Sequence, residues 1–189
     1  GVTSLIKIGT GTFTLTGPNT YSGSTTVSGG TLMANSIAGS ATGSGTVAVN
    51  AGGKLGGSGV ISGPVAVNSN GTLMPGNAPV VLTINNNLTL AAGSTTILQI
   101  QHTPLTNSSV KVSDTLNLGG TLIVTNSGGT ALVAGDSFKL FNAGNHAGAF
   151  SQLILPPLTG NLAWNMNSVN TSGILSVVSL TSPAIAGIR

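Results

Sequence analysis

Gly or Pro interrupts nearly every ten-residue window of this chain. An α-helix needs apolar residues at a 3.6-residue period over ten or more positions without such breaks. The best helical stretch, Leu90–Ala91–Ala92, stops at Gly93. What remains is period two. Phe13 and Leu15 alternate with threonines over residues 12–16, and similar short runs recur at residues 47–49, 65–67, 82–84, 88–90 and 97–100. Further runs follow at residues 110–112, 116–118, 138–141 and 175–178. Val, Ile, Leu and Thr suit a pleated, half-buried surface, and the Gly, Asn and Ser clusters between them supply turns. The chain is read as all-β, with short strands and frequent turns.

Glycine-led strand starts recur at Gly30–Thr31–Leu32–Met33, Gly45–Thr46–Val47–Ala48, Gly71–Thr72–Leu73–Met74 and Gly120–Thr121–Leu122–Ile123. Their spacing is uneven. Short units tens of residues long that cannot each bury an apolar face point to a β-solenoid, where coil stacks on coil. A β-sandwich is the alternative, with longer strands and more inward aromatics expected.

Charge narrows the function. Only 4% of residues are charged, against about 25% in ordinary soluble domains. The formal charge of +3 rests on Lys7, Lys54, Lys111, Lys139 and Arg189 against Asp114 and Asp136. These bases are scattered, so no patch exists for nucleic acid or anionic lipid. A surface with so few ions is inclined to associate with copies of itself. Cysteine is absent, which excludes disulfides and thiolate metal sites and is compatible with life outside the cell. No apolar run reaches the 18 residues of a membrane-spanning helix. The chain begins at Gly1 rather than Met, which reads as a processed form or an excised piece.

From Leu5 to Leu32 the chain carries Lys7, Gly9, Gly11, Thr12, Leu15, Gly17, Asn19, Thr20, Tyr21, Gly23, Thr25, Val27, Gly30 and Leu32. This stretch resembles the autotransporter-associated β-strand repeat of bacterial surface and secreted passenger regions. Phe13 and Pro18 depart mildly from it. The later segments Gly71–Thr72–Leu73–Met74–Pro75–Gly76–Asn77 and Gly135–Asp136–Ser137–Phe138 resemble what commonly follows the repeat. The resemblance implies a right-handed parallel β-helix in an exported bacterial protein, located outside the cell or on its surface. It implies no single activity, because such passengers do many jobs. Composition shifts near residue 133, where Phe138, Phe141, Phe150 and Trp164 gather. The expected division is a solenoid over residues 1–132 and a sandwich-like section over 133–189 that closes the stack.

Candidate chemistry is sparse. The only imidazoles are His102 and His146, and the only carboxylates are Asp114 and Asp136. A nucleophilic triad would need Ser beside one of each. Glycoside hydrolysis would need both acids converging. The expectation is that both histidines lie in turns, that Asp136 forms an Asx-type turn, and that Asp114 opens a strand. No catalytic, cofactor-binding or metal-binding residue is assigned, because calcium and zinc sites need ligand clusters the chain lacks. Thr10, Thr12, Thr14 and Thr16 share one strand face, which raises ice binding, but ordinary solvent-facing residues explain them. Tyr21 is expected to anchor a turn and Trp164 to pack in the last section.

The expectation for function is therefore a structural extracellular protein, no enzyme, self-associating head to tail into a fibre or surface layer. Val2–Ile8 and the tail Ile174–Ile188 are the candidate pairing edges. The alternative is a monomeric adhesin or passenger stalk that binds surface glycans.

Overall fold

The computed structural model describes residues 2–180. The chain winds in coils, and each coil lays its strands on the same faces as the coil before. The first coil has β1 (Leu5–Lys7) and β2 (Thr12–Leu15), and the second β3 (Thr25–Val27) and β4 (Gly30–Ala34). The third has β5 (Val47–Val49), β6 (Gly53–Gly56) and β7 (Val60–Ile61), and the fourth β8 (Val65–Val67), β9 (Thr72–Leu73) and β10 (Val81–Ile84). The fifth has β11 (Leu88–Leu90), β12 (Thr95–Gln101), β13 (Thr106–Asn107) and the start of β14 (Ser109–Leu118). The sixth continues with β15 (Thr121–Asn126), β16 (Ser137–Lys139) and the start of β17 (Phe141–Gly148), and β18 (Gln152–Ile154) completes the last coil. β19 (Leu162–Asn165), a one-turn helix α1 (Val169–Ser172) and β20 (Ile174–Ser179) follow.

Three parallel ladders result. Face one runs β1-β3-β5-β8-β11-β14-β17, and face two runs β2-β4-β6-β9-β12-β15-β18. Face three runs β7-β10-β14-β17. β14 serves both faces three and one: its first half pairs with β10 and its second with β11. A register shift between Val112 and Thr115 marks the corner it turns against β17. Every pairing between successive coils is parallel, which an antiparallel sandwich cannot provide. The fold is a parallel β-helix.

Register explains the alternation seen in the sequence. On face one, Leu5, Thr25, Val47, Val65, Leu88, Leu116 and His146 form one inward row. On face two, Phe13, Leu32, Leu55, Leu73, Thr96, Leu122 and Leu153 form another. Most members are fully buried. A short strand buries little by itself, but a row stacked at about 4.8 Å spacing excludes water along the whole axis.

The uneven glycine spacing also resolves. Gly30, Gly53, Gly71 and Gly120 all lead onto face two, whereas Gly45 leads onto face one. Measured on face one, coils also differ in length, from 18 residues (Val47 to Val65) to 30 (Leu116 to His146). Insertions are taken up at corners. At one corner, Gly23, Gly45 and Gly63 stack on one another, and a Cβ on Gly63 would strike the Gly45 carbonyl. Only glycine lets successive coils approach so closely there.

Parallel rungs extend beyond residue 132, through β17 and β18. Interleaved with them, β16, β20 and β19 form a three-stranded antiparallel sheet. This sheet and α1 bring Phe138, Val169, Leu175 and Val177 into the common core.

Candidate functional site: the ends of the coil stack

Among the described residues, nothing pairs with the outer edges of β1 and β2. The hydrogen bonds fix which groups this leaves free. Leu5 N–H donates to Ser24, and the Lys7 carbonyl accepts from Ser28 N–H, so Leu5 and Lys7 point their backbone groups into the stack. Backbone direction alternates along a strand, so the Ile6 N–H and C=O point away from it. On face two, Gly11 and Leu15 carbonyls accept from the second coil, which turns Thr12 and Thr14 outward in the same way.

The side chains at this end are apolar. Val2, Ile6 and Ile8 are 88%, 66% and 70% exposed, and Phe13 is 45% exposed although it occupies an inward row. The outward row on face one continues from Ile6 through Thr26, Ala48, Ala66, Thr89, Asn117 and Ala147. Only the first coil places a large aliphatic there.

Lys7 departs from its row in another way. It stands in the inward row of Val27, Val49 and Val67. Its Nζ donates to the carbonyls of Ile8, Gly9 and Gly29 at 2.7, 3.0 and 3.0 Å. Three carbonyl acceptors offset the cost of withdrawing an ammonium from water. The Ile8 and Gly9 carbonyls at this corner are thereby satisfied.

At the opposite end α1 packs against β17, and among the described residues no further strand pairs with β17 or β18. Gly173 lies beneath Phe141, and its carbonyl accepts from the Leu140 and Phe141 N–H groups. Lys139 Nζ donates to the Ser172 carbonyl at 2.6 Å, and Phe150 N–H donates to Asn170 Oδ1. α1 therefore spans from face three to the corner of the last coil, with Val169 fully buried. The Phe141 and Phe150 rings pack with centroids 5.6 Å apart. Residues 181–188 of the candidate C-terminal pairing edge lie outside the described residues.

The structure joins two of the four candidate titratable groups. His102 Nδ1 lies 2.9 and 3.1 Å from the two Asp136 carboxylate oxygens. Asp136 is buried, and its Oδ2 also accepts from Val133 N–H at 2.9 Å. Asp136 thus holds a preceding amide and a distant histidine rather than forming a simple Asx turn. The pair ties the β12–β13 hairpin to the antiparallel sheet, helped by Asn107 Nδ2 donating to the Lys139 carbonyl. His102 does occupy a turn. Thirty-four residues separate the partners, so only tertiary folding shows the pairing.

His146 is not in a loop. It sits in β17, in the inward row of face one. Burial, and secondarily the Lys139 charge, lower its pKa below the ordinary histidine value. Its Nδ1 is buried without a partner. Asp114 lies inside β14 and is exposed. The neighbouring Thr115 N–H donates to Asn87 Oδ1. Among the described residues, no three His, Cys, Asp or Glu side chains converge.

Tyr21 anchors its turn through a 2.7 Å bond between its hydroxyl and Thr25 Oγ1. Burial raises its pKa, and that bond partly counters the rise. Trp164 Nε1 donates to the Pro156 carbonyl. Both rings thus serve the fold. The threonines form a ladder that the sequence hid: Thr12, Thr31, Thr72, Thr95 and Thr121 line face two across coils. Lys54 interrupts it, and Met33, Ile97 and Ile123 flank it, so it is not the uniform hydroxyl lattice ice binding needs.

Residues 5–34 match the family model described as passenger-associated-transport-repeat. The match spans β1 to β4, the first two coils, and agrees with the resemblance drawn from Lys7, Gly9, Tyr21 and Gly30. No curated protein matches the chain. The repeat's residues now have physical roles: Lys7 closes the corner, Tyr21 braces Thr25, and Gly30 (φ +63) turns face one onto face two where a Cβ would strike the Gly11 carbonyl.

Proposed function

We propose that this chain is a structural, non-enzymatic section of an exported bacterial passenger, displayed outside the cell, and that it associates with copies of itself. The observation that carries this reading is a stack of parallel rungs built on a passenger repeat, in which only 4% of residues are charged and one of those charges, Lys7, is turned inward onto three carbonyls.

The nearly ion-free exterior supports the same reading, since little repulsion opposes contact. The passenger repeat supports export, and the absence of cysteine suits an oxidising exterior. The His102–Asp136 pair stands between two structural elements, which favours a bracing role over catalysis. Light scattering over a hundredfold concentration range tests the proposal. The apparent mass should rise above the 18.4 kDa of one chain. An unchanging monomer across the whole range would defeat it.

A further inference from the structure

We infer that the corner between faces two and three of the third coil is a binding site for one neutral sugar residue. It does not depend on association between copies. The site comes from unequal coils. The corner takes five residues in the third coil (Leu55 to Val60), against eight in the second (Leu32 to Ser40) and ten in the fourth (Leu73 to Thr83). The short corner is therefore recessed between two longer ones. Gly57 and Ser58 form its floor, between Asn35 of the second coil and Asn77 of the fourth, in a cavity of about 220 Å3. Backbone bonds pin the floor to both walls. Gly57 N–H donates to the Pro75 carbonyl and Gly59 N–H to the Ala34 carbonyl, each at 2.8 Å. The recess needs glycine at position 57, where φ is +119° and a Cβ would strike the Ala34 carbonyl. The cleft is thus pre-formed, as ligand sites usually are.

Its chemistry selects the ligand. Asn35 Oδ1 accepts the Ser58 N–H at 3.0 Å, which fixes the amide and leaves its Nδ2 as a donor. The Ser58 hydroxyl and the Asn77 amide belong to exposed residues and make no hydrogen bond among the described residues. Met33, Pro75 and Val80 supply apolar surface beside them. A pyranose ring offers the matching surface, with hydroxyls at its edge and C–H groups on its faces. No charged side chain lines the cleft, so an ion would lose water without gaining a partner. An extended peptide has no edge to join, since β6 is paired on both sides by β4 and β9. The volume is below the roughly 300–1,000 Å3 of sites for drug-sized ligands, which limits the occupant to one ring. About a dozen heavy atoms at ordinary per-atom affinity give a dissociation constant on the order of 1 mM.

Amide NMR titration of the intact chain with glucose, galactose, mannose and N-acetylglucosamine tests the site. At least one sugar should shift the backbone signals of Gly57, Ser58 and Asn77 and the side-chain amides of Asn35 and Asn77, saturating near that constant. Asn77→Ala and Ser58→Ala remove exposed groups that brace nothing in the fold. Each should raise the dissociation constant about fivefold, the loss of one hydrogen bond, with the urea midpoint unchanged. Glucuronate, the charged counterpart of glucose, should leave these signals in place. No shift at these residues with any of the sugars, equal shifts with glucuronate, or shifts undiminished by both substitutions would overturn the assignment.

Discussion

Truncating two residues of the same inward row should cost different amounts, depending on their place in the stack. Leu55 is fully buried on face two, with Leu32 in register on one side and Leu73 on the other. Leu55→Ala removes three carbons, about 2.4 kcal/mol of transfer free energy at about 0.8 per buried methylene. Rungs above and below prevent collapse, so a void of about 50 Å3 adds about 1 kcal/mol. The expected loss is about 3–4 kcal/mol. Phe13 is the larger side chain, but it ends the row and is 45% exposed. Phe13→Ala leaves a dent open to water rather than a cavity, and the expected loss is about 1–2 kcal/mol, well below the 3–5 of a core phenylalanine. Urea unfolding followed by circular dichroism, at concentrations low enough to keep the chain monomeric, compares them directly. An equal or larger loss for Phe13→Ala would refute the reasoning from exposure.

Four further outcomes are expected. Gly63→Ala should destabilise strongly, because its Cβ meets the Gly45 carbonyl, while Gly17→Ala, with no atom within 4 Å, should be neutral or slightly stabilising in thermal melts. Thr96→Val should stabilise by about 1 kcal/mol in urea, since the Thr96 hydroxyl is buried in a leucine row without a partner. His102→Ala should cost about 1–2 kcal/mol and quicken proteolysis around the β12–β13 hairpin, because Asp136 keeps only the Val133 N–H. The lowered pKa of His146 means the unfolded chain takes up that proton first, so its contribution is lost as pH falls below about 6.5. His146→Leu should flatten that part of the stability–pH curve between pH 7.5 and pH 5.

Much of this was legible along the chain. Alternation at residues 12–16, 47–49 and 65–67 identified inward and outward positions, because a strand's period of two is a local property. Glycine and asparagine marked the corners for the same reason, and the run from Lys7 to Leu32 identified the passenger repeat. Place in the stack was not legible. The sequence put His146 in a loop because Gly144 and Asn145 precede it, yet pairing with β14 holds it in a strand. Asp136 read as a turn former, while its main partner lies on a hairpin a full coil earlier. The threonine ladder stayed hidden because its members are a coil apart.

The amino-acid order alone determined that this protein would be β, glycine-cornered and almost free of ions, since those follow from side-chain size, alternation and charge. The tertiary structure alone decided which residues meet across coils: His146 in a strand against Leu116, and His102 against Asp136. Those meetings depend on which coil lies on which, a property that no local stretch of sequence carries.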